Sequence, residues 1–338
     1  MPYAIEQFDL SEYLLVISSS YAVAKGVLTG PDQLHISYVH SPARYAWDLY
    51  HQYLEQSGLA SGVKGLAAKY LLHQLRMWDT RSANSVDTYV ANSEFIARRI
   101  HKYYRRDSTV IYPPVDISDF ALQECKNDYY LTASRLVPYK RVDLIVKAFR
   151  LMPDRRLIVV GDGPDYRRIQ ADAPHNVQLV GYQSRAALTR YMQGARAFIV
   201  AAEEDFGIVP LEAQACGTPV IAFGKGGVLE TICGQGSKRP TGAFFPVQAA
   251  DSIAAAISEF ESRPDAIDPA WCRMNAMKFG VETFRSKFSQ LMAKELKTFG
   301  ERSFSGTQSD PVASSSVLFP SAATPVARQS RTREATAL

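Results

Sequence analysis

Glu204 and Glu212 bracket the segment Glu204-Asp205-Phe206-Gly207-Ile208-Val209-Pro210-Leu211-Glu212, and Gly217-Thr218-Pro219 follows it. The apolar run Ala197–Ala201 ahead of it predicts a buried strand. Pro210 suits a first helical turn, where its missing N–H costs nothing, and Gly217 with Pro219 stops that helix early. One carboxylate then stands at a strand's end and the other in the first turn of a helix. Between them the amides of Phe206, Gly207 and Ile208 face one crevice. A helix N-terminus attracts phosphate, and carboxylates accept hydrogen bonds from hydroxyl-rich groups. The combination suits a sugar carried on a nucleoside diphosphate. The same residue types would also serve an acidic loop with ordinary helix-start chemistry, since Asp and Glu favour that position.

A second charged cluster, Ser134-Arg135-Leu136-Val137-Pro138-Tyr139-Lys140-Arg141, follows another expected strand. Arg grips phosphate with a planar fork, whereas Lys acts as a point charge. Alone, the cluster reads as a solvated basic loop capping the next helix. At the same sheet edge as Glu204, Arg135 and Lys140 become a grip for a pyrophosphate. The chain has no Asp-x-Asp pair of the kind that holds a divalent ion against a diphosphate. Its cations would therefore stabilise the leaving group with no metal.

These clusters need a scaffold that brings strand ends together. From residue 128 onward, short apolar strands alternate with helices: strands at 129–133, 157–160, 177–180, 197–201 and 220–223, helices at 142–151, 165–171 and 185–192, and the Pro210 helix. This pattern predicts parallel βαβ units in an open doubly wound α/β sheet, with ligands at the carboxyl ends of the strands. Earlier in the chain, strands are expected at 14–18, 35–39 and 86–91 and helices at 64–77 and 94–104. The segment Tyr112–Asp116 is a stiff link, which places the domain boundary within 112–127. A further helical stretch covers 271–299. The 338 residues allow two domains, with 46% hydrophobic and 21% charged residues, ordinary for a globular chain. The net charge of +4 permits an acidic ligand or an anionic membrane surface without requiring either. Four scattered cysteines, no visible secretory signal and no long apolar run predict a reduced, cytoplasmic setting.

Taken together, Ser134-Arg135-Leu136 with Lys140, Val160-Gly161-Asp162-Gly163-Pro164, Glu204-x7-Glu212 with Phe206-Gly207, and Glu212-Ala213-x-Ala215-Cys216-Gly217-Thr218-Pro219-Val220 resemble the retaining glycosyltransferases of family 4 (glycosyl transferases group 1). The resemblance implies a GT-B architecture of two Rossmann-like doubly wound domains, the N-terminal one incomplete. It divides the chain into an acceptor-side domain at 1–118, a nucleotide-sugar domain at 119–280 and a helix bracing back onto the first domain at 281–300; the Ser-, Thr-, Ala- and Pro-rich composition after Ser303 predicts a disordered tail at 301–338. It implies that Arg135 and Lys140 hold the diphosphate and that Glu204 touches the hydroxyls of the donor sugar. The backbone of Phe206, Gly207, Ile208 and Val209 would contact sugar and phosphate, and Glu212 the ribose. Gly161, Gly163, Gly181 and Tyr182 would lie near the base. Gly226-Gly227 and Glu230 occupy the place of another common family element.

The N-terminal part, Tyr38-Val39-His40-Ser41-Pro42-Ala43-Arg44-Tyr45-Ala46-Trp47-Asp48 with Val90-Ala91-Asn92-Ser93, resembles one bacterial branch of that family. That branch includes mannosyltransferases of polysaccharide and O-antigen assembly. The resemblance implies a hexose, with GDP-mannose favoured as donor, a glycan or lipid-linked glycan as acceptor, and neither metal nor cofactor. His40 would face the cleft beside the donor sugar, or be a partly buried histidine bonded to backbone. Arg44 could pair with Asp48, four residues on in a helix. Only 13 residues precede Leu14, so the opening strand, Gly-rich loop and helix of family members are expected to be missing. The basic, aromatic segment Phe95–Arg106 predicts either a helix packed into the domain or contact with an anionic membrane at the inner face of the plasma membrane. Three other readings are a nucleotide-sugar-binding fragment without turnover, an epimerase of the same architecture, and a nucleic-acid binder. The epimerase lacks a convincing set of proton-transfer groups. No basic stripe with stacking aromatics supports nucleic-acid binding.

Overall fold

The computed structural model describes residues 2–263 and 266–305. The first unit contains α1 (Pro2–Ile5), β1 (Leu15–Tyr21), β2 (Leu34–Ser41), α2 (Tyr50–Gln56), α3 (Gly62–Ser82), β3 (Thr88–Ala91), α4 (Glu94–Tyr104) and β4 (Thr109–Val110). Its four strands are all parallel and lie in chain order, β1-β2-β3-β4. The two-residue β4 has no periodicity for sequence reading to detect. Ser93 caps α4, its Oγ accepting from Ile96 N at 3.1 Å. Ile96, Ile100 and Tyr104 recur on one face of this helix and pack against Val39, Tyr89 and Ala91. Arg98, His101, Lys102 and Arg105 stay in solvent, so α4 seats its apolar stripe in its own domain.

The second unit follows with β5 (Tyr130–Ala133), α5 (Val142–Arg150), β6 (Leu157–Val160), α6 (Tyr166–Asp172), β7 (Val177–Gly181), α7 (Arg185–Gly194), β8 (Ala197–Val200), α8 (Ile208–Ala215), β9 (Val220–Phe223), α9 (Val228–Thr231), β10 (Gly242–Phe245), α10 (Ala250–Glu261) and α11 (Pro269–Met277). Six parallel strands run in the order β10-β9-β8-β5-β6-β7. Strands β5, β6, β8 and β9 are buried almost throughout. That is why they read as continuous apolar runs rather than alternating ones. The order reverses between β5 and β8, so the loops leaving these two strands diverge and leave a crevice at the sheet's edge. β10 and α10 escaped the sequence reading, although Ile253, Ala256 and Ile257 of α10 are buried.

The helical stretch expected over 271–299 is covered by two helices. The chain turns at Lys278–Gly280 between α11 and α12 (Val281–Ser305), and α12 runs past the expected end at 300. α12 crosses to the first sheet, where Leu291, with Phe284 and Phe288, packs on Leu34, Ile36, Tyr38, Val90 and Ile111. Thr88 Oγ1 also donates to Glu295 Oε2 at 2.9 Å. The remainder of the expected tail, 306–338, lies outside the described residues.

Candidate functional site

Because β5 and β8 are neighbours, the loop carrying Arg135 and Lys140 lies beside the one carrying Glu204. Lys140 ends a short 3-10 turn, and Arg141 takes the left-handed conformation (φ 54°) to swing the chain into α5. Lys140 Nζ donates to Glu204 Oε1 at 2.7 Å and Oε2 at 2.9 Å. Gly207, at φ 100°, opens α8. The first-turn amides of Ile208 and Val209 have no intrahelical acceptor, and Pro210 has no amide to satisfy. The Phe206 ring is buried, stacked on Tyr112 with centroids 5.6 Å apart and set edge-on to Phe279. That packing anchors the loop from below.

A cavity of about 380 Å³ opens here, lined among others by His40, Asn92, Ser134, Arg135, Lys140, Glu204 and residues 206–210. Arg135 is exposed and pairs with no carboxylate among the described residues. His40 Nε2 lies 2.8 Å from Ser19 Oγ. Burial lowers the pKa of its ring, which favours the neutral imidazole. Glu212 stands one turn along α8, outside the residues lining this cavity. Burial raises its carboxyl above the ordinary range, with Arg185 pulling it back.

Gly161 (φ 130°) and Gly163 (φ 155°) act from beneath. A Cβ on either would collide with the carbonyl oxygen of Ser134 or of Leu136, on the loop that bears Arg135. Gly161 N donates to Gly181 O at 2.8 Å, joining the ends of β6 and β7. Tyr182 is 81% exposed and is not among the residues lining the cavity.

The acidic loop has a second set of partners that spacing did not disclose. The pair Arg44–Asp48 does not form. Arg44 Nη1 reaches across the cleft to Asp205 Oδ1 at 3.1 Å and Glu203 O at 3.2 Å. Arg99, on α4, takes Asp48 through Nη2 and Asp205 through Nη1, the latter at 2.8 Å, and lies 3.2 Å from Glu203 Oε1. Lys225 Nζ holds the other oxygen of Glu203 at 2.9 Å. Burial pushes the Asp205 carboxyl up, and Arg44 and Arg99 draw it down. Ser93 Oγ donates to Asp205 O at 2.6 Å. Glu230 accepts from the backbone amides of Glu94 and Phe95 at 2.8 and 2.9 Å, capping α4 from the opposite domain. A carboxylate four residues from Arg44 looked sufficient in one dimension. Only the fold shows that Asp48 serves Arg99 instead.

A second cavity of about 640 Å³ adjoins the first. Tyr21, Tyr45, Gln52, Tyr53 and Gln56 line it from the first domain and Tyr139 from the second, and it shares Lys140, Glu204 and Asp205 with the smaller cavity. Lys140 and Glu204 thus stand in the wall between two compartments. Among the described residues, no group of three or more His, Cys, Asp and Glu side chains is placed to hold a metal ion, and no helix is long and apolar enough to cross a membrane.

Residues 117–278 match the family model described as glycosyl transferases group 1. The chain is 38% identical over 114 residues to the GDP-mannose-dependent monoacylated alpha-(1-6)-phosphatidylinositol monomannoside mannosyltransferase of Corynebacterium glutamicum, covering 29% of this chain and 30% of that one. It is 26% identical over 234 residues to the alpha-1,3/1,6-mannosyltransferase of Saccharomyces cerevisiae, covering 51% and 46%. The chain therefore spans less than half the length of these curated relatives. Among solved structures, sucrose-phosphate synthase from Thermosynechococcus elongatus superposes with a TM-score of 0.70 at 20% identity, over 85% of this chain and 75% of that one. At that identity the likeness speaks for the fold: α/β, of the GT-B type, with two Rossmann-like domains.

Proposed function

We propose that this chain is a retaining hexosyltransferase that moves a hexose, with mannose favoured, from a nucleoside-diphosphate sugar to a glycan or lipid-linked glycan. The single observation that carries this reading is the meeting of Lys140 and Glu204 at the β5/β8 reversal, in a cavity that also receives Arg135 and the open end of α8. The diphosphate sits against Arg135, Lys140 and the amides of Ile208 and Val209. The sugar hydroxyls meet Glu204, and the ribose meets Glu212. The Corynebacterium relative is a GDP-mannose-dependent mannosyltransferase and the yeast one a mannosyltransferase, which favours mannose here, with GDP-mannose as donor.

As the bond from the anomeric carbon to the phosphate oxygen lengthens, negative charge grows on the diphosphate. Fixed cations and amides stabilise that charge more than they stabilise the bound substrate, which is the requirement for catalysis. The acceptor hydroxyl attacks on the face the diphosphate leaves and passes its proton to the departing phosphate oxygen. This route needs no protein nucleophile and no metal. The larger cavity, with its tyrosines and glutamines, receives the acceptor: aromatic faces and amide groups suit sugar rings.

The test is calorimetry with GDP and UDP, run beside an assay of nucleoside diphosphate release from GDP-mannose and UDP-glucose. Binding of one nucleotide with turnover of its sugar is the expected result. Binding without turnover would leave a nucleotide-sugar-binding module. Absence of binding to either would sink both readings.

A further inference from the structure

The Arg44 side chain lies outside the residues lining the smaller cavity, yet it is buried at the seam between the domains, beside Arg99. Arg44 is 9% exposed and Arg99 8%, so salt screens their pairs little. Both reach Glu203 and Asp205, the residues on either side of Glu204. Glu204 makes an isolated β-bridge to Gly226, and its carbonyl accepts from Gly227 N at 2.8 Å. Glu203 and Asp205 meet Arg44 and Arg99 of the first domain, while Glu204 meets Lys140 of the second. The segment lies beyond the end of β8 and has little ladder of its own to fix it.

We propose that Arg44 and Arg99 are positioning residues that align Glu204 against Lys140 from across the cleft, by pinning the carboxylates on either side of it. The proposal rests on the hexosyltransferase reading of the site. Domain docking then becomes part of the catalytic geometry: the donor-side carboxylate belongs to the second domain, but the first domain sets its direction. Ser93, bonded to Asp205 O, and Glu230, capping α4, hold the same seam closed. Pre-set orientation of this kind matters because a misplacement of about 1 Å at a reacting group costs about 100-fold in rate.

The test compares Arg44→Gln, Arg44→Lys and Asp205→Asn with the parent chain. Three readings are taken: kcat and KM for GDP release from GDP-mannose (UDP-glucose as second donor), GDP and UDP affinity by calorimetry, and the thermal unfolding midpoint. The expected result for Arg44→Gln is a kcat lower by about 100-fold with nucleotide affinity and donor KM little changed. Arg44→Lys should recover a large part of the loss, because one charged donor is kept. Unchanged kcat in Arg44→Gln overturns the proposal. So does a parallel fall in kcat and nucleotide affinity, which would mark general damage or direct donor contact. Should Arg44→Gln not fold, the near-isosteric Asp205→Asn is judged by the same two criteria. Failure of the parent to bind nucleotide or to turn over either sugar is a different pattern. It brings down the hexosyltransferase reading itself, and this proposal with it.

Discussion

Lys140 places its ammonium within hydrogen-bonding distance of both oxygens of Glu204, so the proposed diphosphate would have to share or displace a carboxylate already there. Each partner leaves a charged neighbour behind when removed. Lys140→Ala and Glu204→Gln should each lower kcat by about 10²–10³-fold, which steady-state assays would check. Glu212 supplies a pH signature. Its folded pKa is raised, so its contribution to stability is full below the unfolded value and is lost as pH rises through the folded one. On the proposed reading nucleotide binding runs the other way, because ribose hydroxyls would donate to the ionised carboxylate. GDP affinity should fall on acidification at a pH above that of an ordinary glutamate, and Glu212→Gln should flatten the profile in a calorimetric titration. The residue types of Arg135, Lys140, Glu204 and Glu212 announce their chemistry in the sequence. Arg44, Arg99 and Asp205 do not, since Arg99 and Asp205 stand 106 positions apart and nothing local marks them as partners.

At the level of elements, the strands that were easiest to read, such as β5, β6, β8 and β9, are those buried on both faces. β4 and β10, at the sheet edges, were missed: β4 has only two residues, and the short apolar run of β10 is flanked by Gly242 and Pro246, which read as turn residues. The glycine loop after β6 is a wedge for the loop after β5. Gly163→Ala should displace the loop bearing Arg135 and weaken GDP binding by more than its modest effect on helix or strand content would suggest, as calorimetry and circular dichroism together would show. Lys126 ties α7 and α8 at their ends, donating to Gln193 O, Cys216 O and Thr218 Oγ1. Burial pulls its pKa from 10.5 to about 8. Its contribution to stability is present above the unfolded value and lost as pH falls through about 8, so the parent should gain stability between pH about 8 and about 10. Lys126→Met should lose that gain in denaturant titrations at the two pH values.

Among the described residues, the charged seam at Asp205 and the return of α12 both join the domains. The seam is polar and local, whereas α12 contributes apolar burial. Leu291→Ala, at a buried position among Leu34, Ile36 and Tyr38, should cost about 2–5 kcal/mol in urea unfolding while leaving GDP affinity of the folded fraction intact. The partners Thr88 and Glu295 are 207 positions apart. A ribosome making this chain releases the first sheet long before it makes the helix that covers it. Until residue 281 and its successors emerge, Leu34, Ile36, Tyr38 and Val90 face water on a growing polypeptide. The nascent first domain is thus a sticky surface for most of its synthesis and a natural client for chaperones that recognise exposed apolar chain.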